Sequence, residues 1–349
     1  METPLLNEHR AAGARLGEFS ECVLPEGFSG FENEYRAARE AVALLDTNWH
    51  AVMHLTGPDR VRYLNAIVSN NVQSLAEGRG TLALLLNPQG HILAELEIYT
   101  LPDKLLVLSH ASVRTRTAST LDKYIVMDNV QLDDWTDQFG TVAIEGPRAA
   151  AIIRQASGVP LEDLPQMAVK EVAIERIPCQ LLRRTHFGDT GAELVIRRDR
   201  LAWLWQKLLA VMKAHGGEPV GMLALNSLRL EAGAPWFPLD FNDSVIPHEA
   251  AIQDTHVSFS KGCYTGQEIV ERVRSRGHAN RKRVRLRFSM SQPPLPGTKL
   301  HAEGKEVGYV TSAAFSPRAN VAIGMGYVRI EQSAPGSTFK FDGGMAAVE

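Results

Sequence analysis

The chain has 349 residues, 44% hydrophobic and 22% charged, with a formal net charge of −3. That length carries two or three domains with a substantial core, and the composition is that of an ordinary soluble globular protein. No apolar run approaches a membrane span, and three scattered cysteines (Cys22, Cys179 and Cys263) are too few for a disulfide framework or a zinc site.

The first thirty residues hold Glu2, Glu8, Glu18 and Glu21 and no apolar stretch. They are expected to lead in as helix and loop, without a secretory signal, and the expected compartment is a reducing cytoplasm. Tyr35, Ala38, Val42 and Leu45 recur at helical spacing and predict a helix over 33–45. A strand over 51–56 ends in Gly57-Pro58, and a helix follows with Val61, Leu64, Ile67 and Val68 on one face. Strand patterns over 81–87 and 91–100, joined by Pro88-Gln89-Gly90, precede a strand over 104–110, a helix over 113–124 and a strand near Val130. The scheme then repeats. A strand over 141–145 runs into Gly146-Pro147 and a helix over 148–156, with strands around 169–175, 179–185 and 193–196. A helix capped by Asp199 reaches Ala214 and stops at Gly216-Gly217. The two Gly-Pro junctions lie 89 residues apart. Two successive strand–helix–strands–helix–strand units predict a pair of ferredoxin-like, split β-α-β folds.

A helix over 222–231 and a proline-containing irregular stretch lead to Lys261-Gly262-Cys263-Tyr264-Thr265-Gly266-Gln267-Glu268, where two glycines bracket a thiol and an aromatic ring. A cysteine just before a helix N-terminus, with Lys261 two residues back, is in a setting that favours thiolate; the alternative is a buried, inert thiol. From Lys261 to Arg287, nine Lys or Arg residues stand against Glu268 and Glu271, a local charge of +7. Such a patch suits an anionic partner: RNA, a phosphate or a polyglutamate tail. From Arg283 onward, however, apolar and basic residues alternate as on one wet face of a sheet. Past Arg281, Pro293, Pro294, Pro296 and Gly297 separate short strands, and Glu303-Gly304-Lys305-Glu306 reads as a hairpin turn, so a small barrel or sandwich is expected. His50 and His54 lie four apart in a strand-like segment with no partner in the pattern, and no metal site is expected there. No P-loop, dinucleotide fingerprint or serine-nucleophile elbow is present.

The octapeptide resembles the signature of the YgfZ-type folate-binding proteins, members of the superfamily of the glycine-cleavage T-protein, a tetrahydrofolate-dependent aminomethyltransferase. The resemblance extends through Tyr35, Arg39 and Asp46, then Gly57, Asp59, Asn70, Asn71 and Gly78, to Asn87-Pro88-Gln89-Gly90. In the tail it covers Val310-Thr311-Ser312, Ser316-Pro317 and Gly326-Tyr327-Val328. It implies an α+β fold of three domains around a central, folate-sized cavity. These are 1–50 with 140–240 as one α/β unit, 51–139 with 241–280 as a second that carries the octapeptide, and 281–349 as a C-terminal β-barrel.

Where the transferases carry Gly-Gly-Ile-x-Asp-Asp, this chain has Gly90-His91-Ile92-Leu93-Ala94-Glu95. The resemblance puts the first aspartate close to the reacting centre on tetrahydrofolate. Ala94 can neither take a proton nor stabilise a cationic centre there. Glu95 aligns with the second aspartate but faces the opposite side of a strand. Arg184 to Glu193 is similar to the family's pterin-binding stretch, two residues shorter, and implies that Asp189 holds the pterin by accepting from adjacent N–H donors. Leu228-Arg229-Leu230-Glu231-Ala232-Gly233 resembles a segment whose arginine faces the cavity, so Arg229 is implied to pair with Asp189, Glu95 or a folate carboxylate.

The resemblance therefore implies a protein that binds tetrahydrofolate or a derivative and supports assembly or repair of iron–sulfur clusters in client enzymes. Cys263 is its implied working thiol, with Lys261, Gly262, Tyr264, Gly266, Gln267 and Glu268 shaping the surroundings. Tyr264, Asp189, Arg229 and Glu95 are turned to folate. Expected partners are a reduced folate and iron–sulfur clients or cluster-assembly factors, with no membrane. Two alternatives stay open: a tetrahydrofolate-dependent aminomethyltransferase or demethylase, and an RNA-binding or tRNA-modification accessory protein using the basic segment.

Overall fold

The computed structural model describes every residue except Asp189 and His278, and Arg276 by its backbone alone. The chain divides into two compact units, Met1–Ile67 with Asn71–Ala83 and Glu95–Leu225, and Val68–Asn70 with Leu84–Ala94 and Asn226–Glu349.

The first unit opens with α1 (Leu6–Ala11) and an antiparallel hairpin of β1 (Arg15–Phe19) and β2 (Cys22–Gly27), where helix and loop are expected. Its turn residues Ser20 and Glu21 both take positive φ, the backbone that Asn-Gly normally signals, so the hairpin carries no sequence marker. Next come α2 (Phe31–Glu40) and β3 (Ala43–Asp46), in place of the single helix expected over 33–45. Ala43, Leu44 and Leu45 are all 0% exposed; a strand covered on both faces shows no alternation and is indistinguishable by period from a buried helix.

The first repeat consists of β4 (His50–Thr56), α3 (Arg60–Ile67), β5 (Gly80–Leu86), β6 (Ile92–Thr100), β7 (Leu105–His110), α4 (Arg114–Lys123) and β8 (Gln131–Asp134). The second consists of β9 (Phe139–Glu145), α5 (Ala149–Ser157), β10 (Val169–Ile174), β11 (Ile177–Leu182), β12 (Gly191–Arg197), α6 (Arg198–Lys213) and β13 (Glu218–Pro219). One sheet runs β5-β6-β7-β4-β8, the other β10-β11-β12-β9-β3-β13. With β5 and β10 as added edge strands and β3 inserted beside β9, both orders are those of the split β-α-β fold. The two Gly-Pro junctions are equivalent in space as well as in sequence. A Cβ on Gly57 (φ +95) would lie 2.2 Å from Asn129 O, and one on Gly146 (φ +126) 2.9 Å from Ala38 O, so only glycine fits either. Asp199 lies in the first turn of α6, whose cap is Arg197, one correction to the expected capping.

Leu44, Val142, Ile144, Leu194 and Ile196 of the second sheet pack with Ile152, Ile153, Leu204, Trp205 and Leu208 of α5 and α6. A second cluster, Val52, Tyr99, Leu106 and Leu108 with Val169, Leu182 and Val195, joins the faces of the two sheets inside the first unit. Each fully buried aliphatic contributes about 1.5–3 kcal/mol, so these layers hold the strands that carry the polar groups described below.

The second unit takes up α7 (Met222–Ala232) from Asn226 onward, then α8 (Gln253–His256) and α9 (Gln267–Arg276). A barrel follows: β14 (Arg281–Phe288), β15 (Lys299–Ala302), β16 (Lys305–Ser316), β17 (Val321–Arg329), β18 (Thr338–Phe341) and β19 (Gly344–Val348), closed by pairing of β14 with β19. Val284, Leu286 and Phe288 point into its core, while Arg285 and Arg287 are exposed, the alternation legible in the sequence. Among the described residues no helix is long and apolar enough to cross a membrane.

Candidate functional site

The octapeptide forms a loop leading into α9. Gly266 caps that helix with φ +81, and a Cβ there would lie 2.6 Å from Asn87 O and 3.2 Å from Gly90 Cα. Gly90 in turn has φ +77 and packs on Ile269. The motif loop is thus seated on the Asn87–Gly90 turn, itself held by a hydrogen bond from His91 N to Asn87 Oδ1 (2.9 Å). Lys261 donates to the Val68 carbonyl and lies 5.0 Å from the centre of the Tyr264 ring; burial lowers its ammonium to about 8. Tyr264 is 7% exposed, and its hydroxyl has no hydrogen-bond partner among the described residues. Gly262, Cys263 and Glu268 are exposed, and Gln267 opens the helix with its N–H donated to Tyr264 O (3.2 Å). Cys263 stands just ahead of the Gly266 cap of α9, while Lys261 is turned to Val68 and Tyr264. The other two thiols are buried, and burial pushes Cys22 and Cys179 each up to about 11.

Part of the basic segment is engaged with its own chain, while Arg272, Arg274, Lys282, Arg285 and Arg287 are exposed. Arg281 pairs with Glu249 (3.2 Å), Arg283 donates to Ala250 O (2.8 Å) and Arg285 pairs with Glu349 (3.2 Å). Arg281 and Arg283 thus tie the barrel's first strand to the 249–250 segment of the second unit.

Ala94 is 0% exposed and shares its face of β6 with Ile92, Leu96 and Ile98. Glu95 is half-buried on the other face with Glu97 and Tyr99, and its charge acts on Arg184. Arg184 Nε donates to Glu97 Oε1 (2.9 Å) and Tyr99 Oη to Glu97 Oε2 (2.8 Å). Burial alone would raise the Glu97 carboxyl, but Arg184, His50 and these hydrogen bonds outweigh it and hold it at about 2. Asp189 lies outside the described residues.

Arg229 is 0% exposed. Its Nη1 donates to Asp240, its Nε to Asn226 Oδ1 (2.9 Å), and its guanidinium lies 5.1 Å from the Trp236 ring centre. Nη2 is buried with no hydrogen-bond partner. Asp240, which no sequence pattern marks, also accepts from Thr311 (2.6 Å), Ser312 (2.5 Å) and Trp236 N (3.0 Å). The Thr311-Ser312 pair thus serves an internal carboxylate.

A further cluster escapes the sequence reading, although two of its members lie inside the Arg184–Glu193 stretch. Glu145 accepts from His186 N (2.7 Å) and Phe187 N (3.2 Å), and its Oε1 lies 2.5 Å from His186 Nδ1. His186 Nε2 faces Glu193 Oε2 at 3.8 Å, and His50 Nε2 faces Glu193 Oε1 at 3.4 Å. Burial disfavours the imidazolium of His186, but the charges of Glu145 and Glu193 prevail and raise its pKa. Two concavities elsewhere, of ≈ 470 Å³ beside Arg15, Glu26 and Phe31 and ≈ 620 Å³ beside Pro294, Leu295 and Phe341, contain none of the candidate catalytic, motif or folate-binding residues.

Residues 5–261 match the GCVT N-terminal domain, and residues 281–347 match the glycine cleavage T-protein C-terminal barrel domain. An aminomethyltransferase of Desulforamulus reducens is 30% identical over 336 residues, covering 94% of this chain and 90% of that protein. One of Halothermothrix orenii is 29% identical over 342 residues, covering 97% and 94%. The crystal structure of glycine cleavage system aminomethyltransferase T from Bartonella henselae is similar at a TM-score of 0.90 and 25% identity, covering 100% of this chain and 96% of that one.

Proposed function

The chain belongs to the glycine cleavage T-protein family, and on that premise we propose that it binds a reduced folate and supports assembly or repair of iron–sulfur clusters in client enzymes through Cys263. The observation that carries this reading is the contrast among the thiols. Two are buried and held protonated, whereas Cys263 is exposed on a loop whose backbone Gly266 locks in place. Bound tetrahydrofolate would supply a carrier for one-carbon units. The residues present fit such a ligand in that Tyr264 Oη and Arg229 Nη2 are buried polar atoms without hydrogen bonds among the described residues, a deficit that a polar ligand would relieve. Ala94 adds to the argument: its methyl group supplies neither a base nor a charge for aminomethyl transfer. The cluster role itself rests on the likeness of Lys261–Glu268 to the YgfZ-type signature.

A second reading is tetrahydrofolate-dependent aminomethyl transfer. The names of the relatives favour it over the cluster role. Glu95 gives it a carboxylate, on the polar face of β6 beside Glu97 and acting on Arg184.

Two assays separate the readings. Cells lacking their own factor of this kind are scored for a cluster-dependent enzyme, with wild type and Cys263→Ser present at equal levels. The cluster reading expects rescue by wild type alone; rescue by neither overturns it, and rescue by both overturns the role of the thiol. In the second assay the purified protein is given tetrahydrofolate and an aminomethyl donor. Turnover that Glu95→Gln abolishes would establish the transferase reading instead.

A further inference from the structure

The structure assigns a divalent-cation site to His50, His186 and Glu193, all in the first unit, and the donor set points to a zinc-class ion. One ligand atom from each of the three lies within 4.8 Å of the others. Their closest approaches are 3.4 Å between His50 Nε2 and Glu193 Oε1 and 3.8 Å between His186 Nε2 and Glu193 Oε2. Ligands around a tetrahedral zinc, with bonds of about 2.0–2.1 Å, stand roughly 3.3 Å apart, so small side-chain movements complete the geometry.

The second observation is the state of these atoms. The side chains of His50, His186 and Glu193 are 8%, 5% and 0% exposed, yet among the described residues His186 Nε2, Glu193 Oε2 and both ring nitrogens of His50 have no hydrogen-bond partner. A buried polar atom left open costs about 1–3 kcal/mol, and three such residues, with one ligand atom from each within 4.8 Å of the others, point to a group that binds there.

The surroundings are arranged as an orienting shell. Glu145 accepts from two backbone N–H groups and, as a carboxylate acceptor, takes a hydrogen bond donated by His186 Nδ1–H, which leaves Nε2 directed at Glu193. This is the carboxylate–histidine–metal arrangement that fixes the tautomer of a ligating imidazole. Thr47 Oγ1 donates to Glu193 Oε1 (2.7 Å) and steadies the carboxylate. The scaffold is stiff, because Glu145 and Glu193 lie on the paired central strands β9 and β12. Two imidazoles and one carboxylate favour zinc over magnesium or calcium, which prefer oxygen shells, and three protein ligands leave a fourth position for water or a substrate atom. The competing occupant of the same space is a proton, which would bind His186 between its two carboxylates.

Two of the three ligands lie in the Arg184–Glu193 stretch likened to the family's pterin-binding segment, so the site is tested by metal binding, without a folate or activity assay. The full-length protein, stripped by chelator, is titrated with Zn²⁺ by calorimetry and with Co²⁺ as a visible probe. One ion per chain, a tetrahedral Co²⁺ absorption band and a higher Tm in the loaded protein are expected. His50→Gln, which removes a ring with no hydrogen bond, should keep the Tm of the stripped protein while weakening Co²⁺ binding at least roughly tenfold. Glu193→Gln should do the same if its fold is retained. Absence of stoichiometric uptake by the wild type, or uptake equally tight in His50→Gln, overturns the assignment; the first result leaves the proton as the occupant.

Discussion

Gly266 and Gly90 face each other across the seat of the motif loop: a Cβ on Gly266 would stand 3.2 Å from Gly90 Cα, and both glycines hold left-handed backbone. Their contact is where the octapeptide meets the Asn87–Gly90 turn, two stretches far apart in sequence.

Gly266→Ala should therefore destabilise the protein by about 1–3 kcal/mol, since it adds positive-φ strain to a 2.6 Å clash with the Asn87 carbonyl. Gly262→Ala, where a Cβ meets nothing within 4 Å, should change stability by under about 0.5 kcal/mol. Urea unfolding of the pair checks this, and equal losses would show that the seat is not under constraint.

In the native state iodoacetamide should modify Cys263 alone, because Cys22 and Cys179 are buried and shifted up to about 11. Intact-mass spectrometry should show one adduct before unfolding and three after it, since the chain has 3 cysteines. Cys263→Ser should remove the native adduct without moving the unfolding midpoint.

Breaking the Arg229–Asp240 pair with Asp240→Asn should cost about 3–5 kcal/mol, as it strands a buried guanidinium. Burial alone would raise the Asp240 carboxyl, but Arg229, Ser312 and Thr311 lower it on balance. Its contribution is therefore present above about pH 4, the unfolded value, and is lost as pH falls through the lower folded value. A stability–pH curve for Asp240→Asn should show a shallower acid limb than wild type.

Lys261 gives the opposite limb. Burial brings its folded pKa to about 8, below the unfolded value of about 10.4, so between them the unfolded chain binds the extra proton. Stability should rise with pH over that window, as the cost of burying the charge disappears. In Lys261→Met this rise should be missing from the urea midpoint measured at successive pH values.

Tyr264→Phe should leave stability within about 0.5 kcal/mol of wild type, because the hydroxyl it removes has no hydrogen-bond partner to lose. On the folate reading the same change weakens binding of tetrahydrofolate by calorimetry. Unchanged affinity would remove Tyr264 from the folate contacts.

Much of the fold is legible locally. The strand and helix periods of both repeats and the in–out alternation of β14 follow the order of residues along the chain, and the Gly-Pro junctions at Gly57 and Gly146 are visible as residue types although the contacts that require glycine there are made with distant segments. The misses are equally physical. Val42 to Leu45 read as helix because β3 is covered on both faces, and the first hairpin turns on Ser20 and Glu21 without a glycine.

The sequence by itself determined the repeated α+β plan, a tail of short strands that closes only in the fold by pairing of β14 with β19, and the prominence of Lys261–Glu268, since periodicity and turn chemistry are short-range properties. Only the tertiary structure decided which side chains meet. Arg229 finds Asp240 across an aromatic loop, and His50 at the start of β4 meets His186 and Glu193 from the second repeat. Those encounters depend on strand order and register, which are set by the packing of whole sheets and leave no trace in the spacing of the residues concerned.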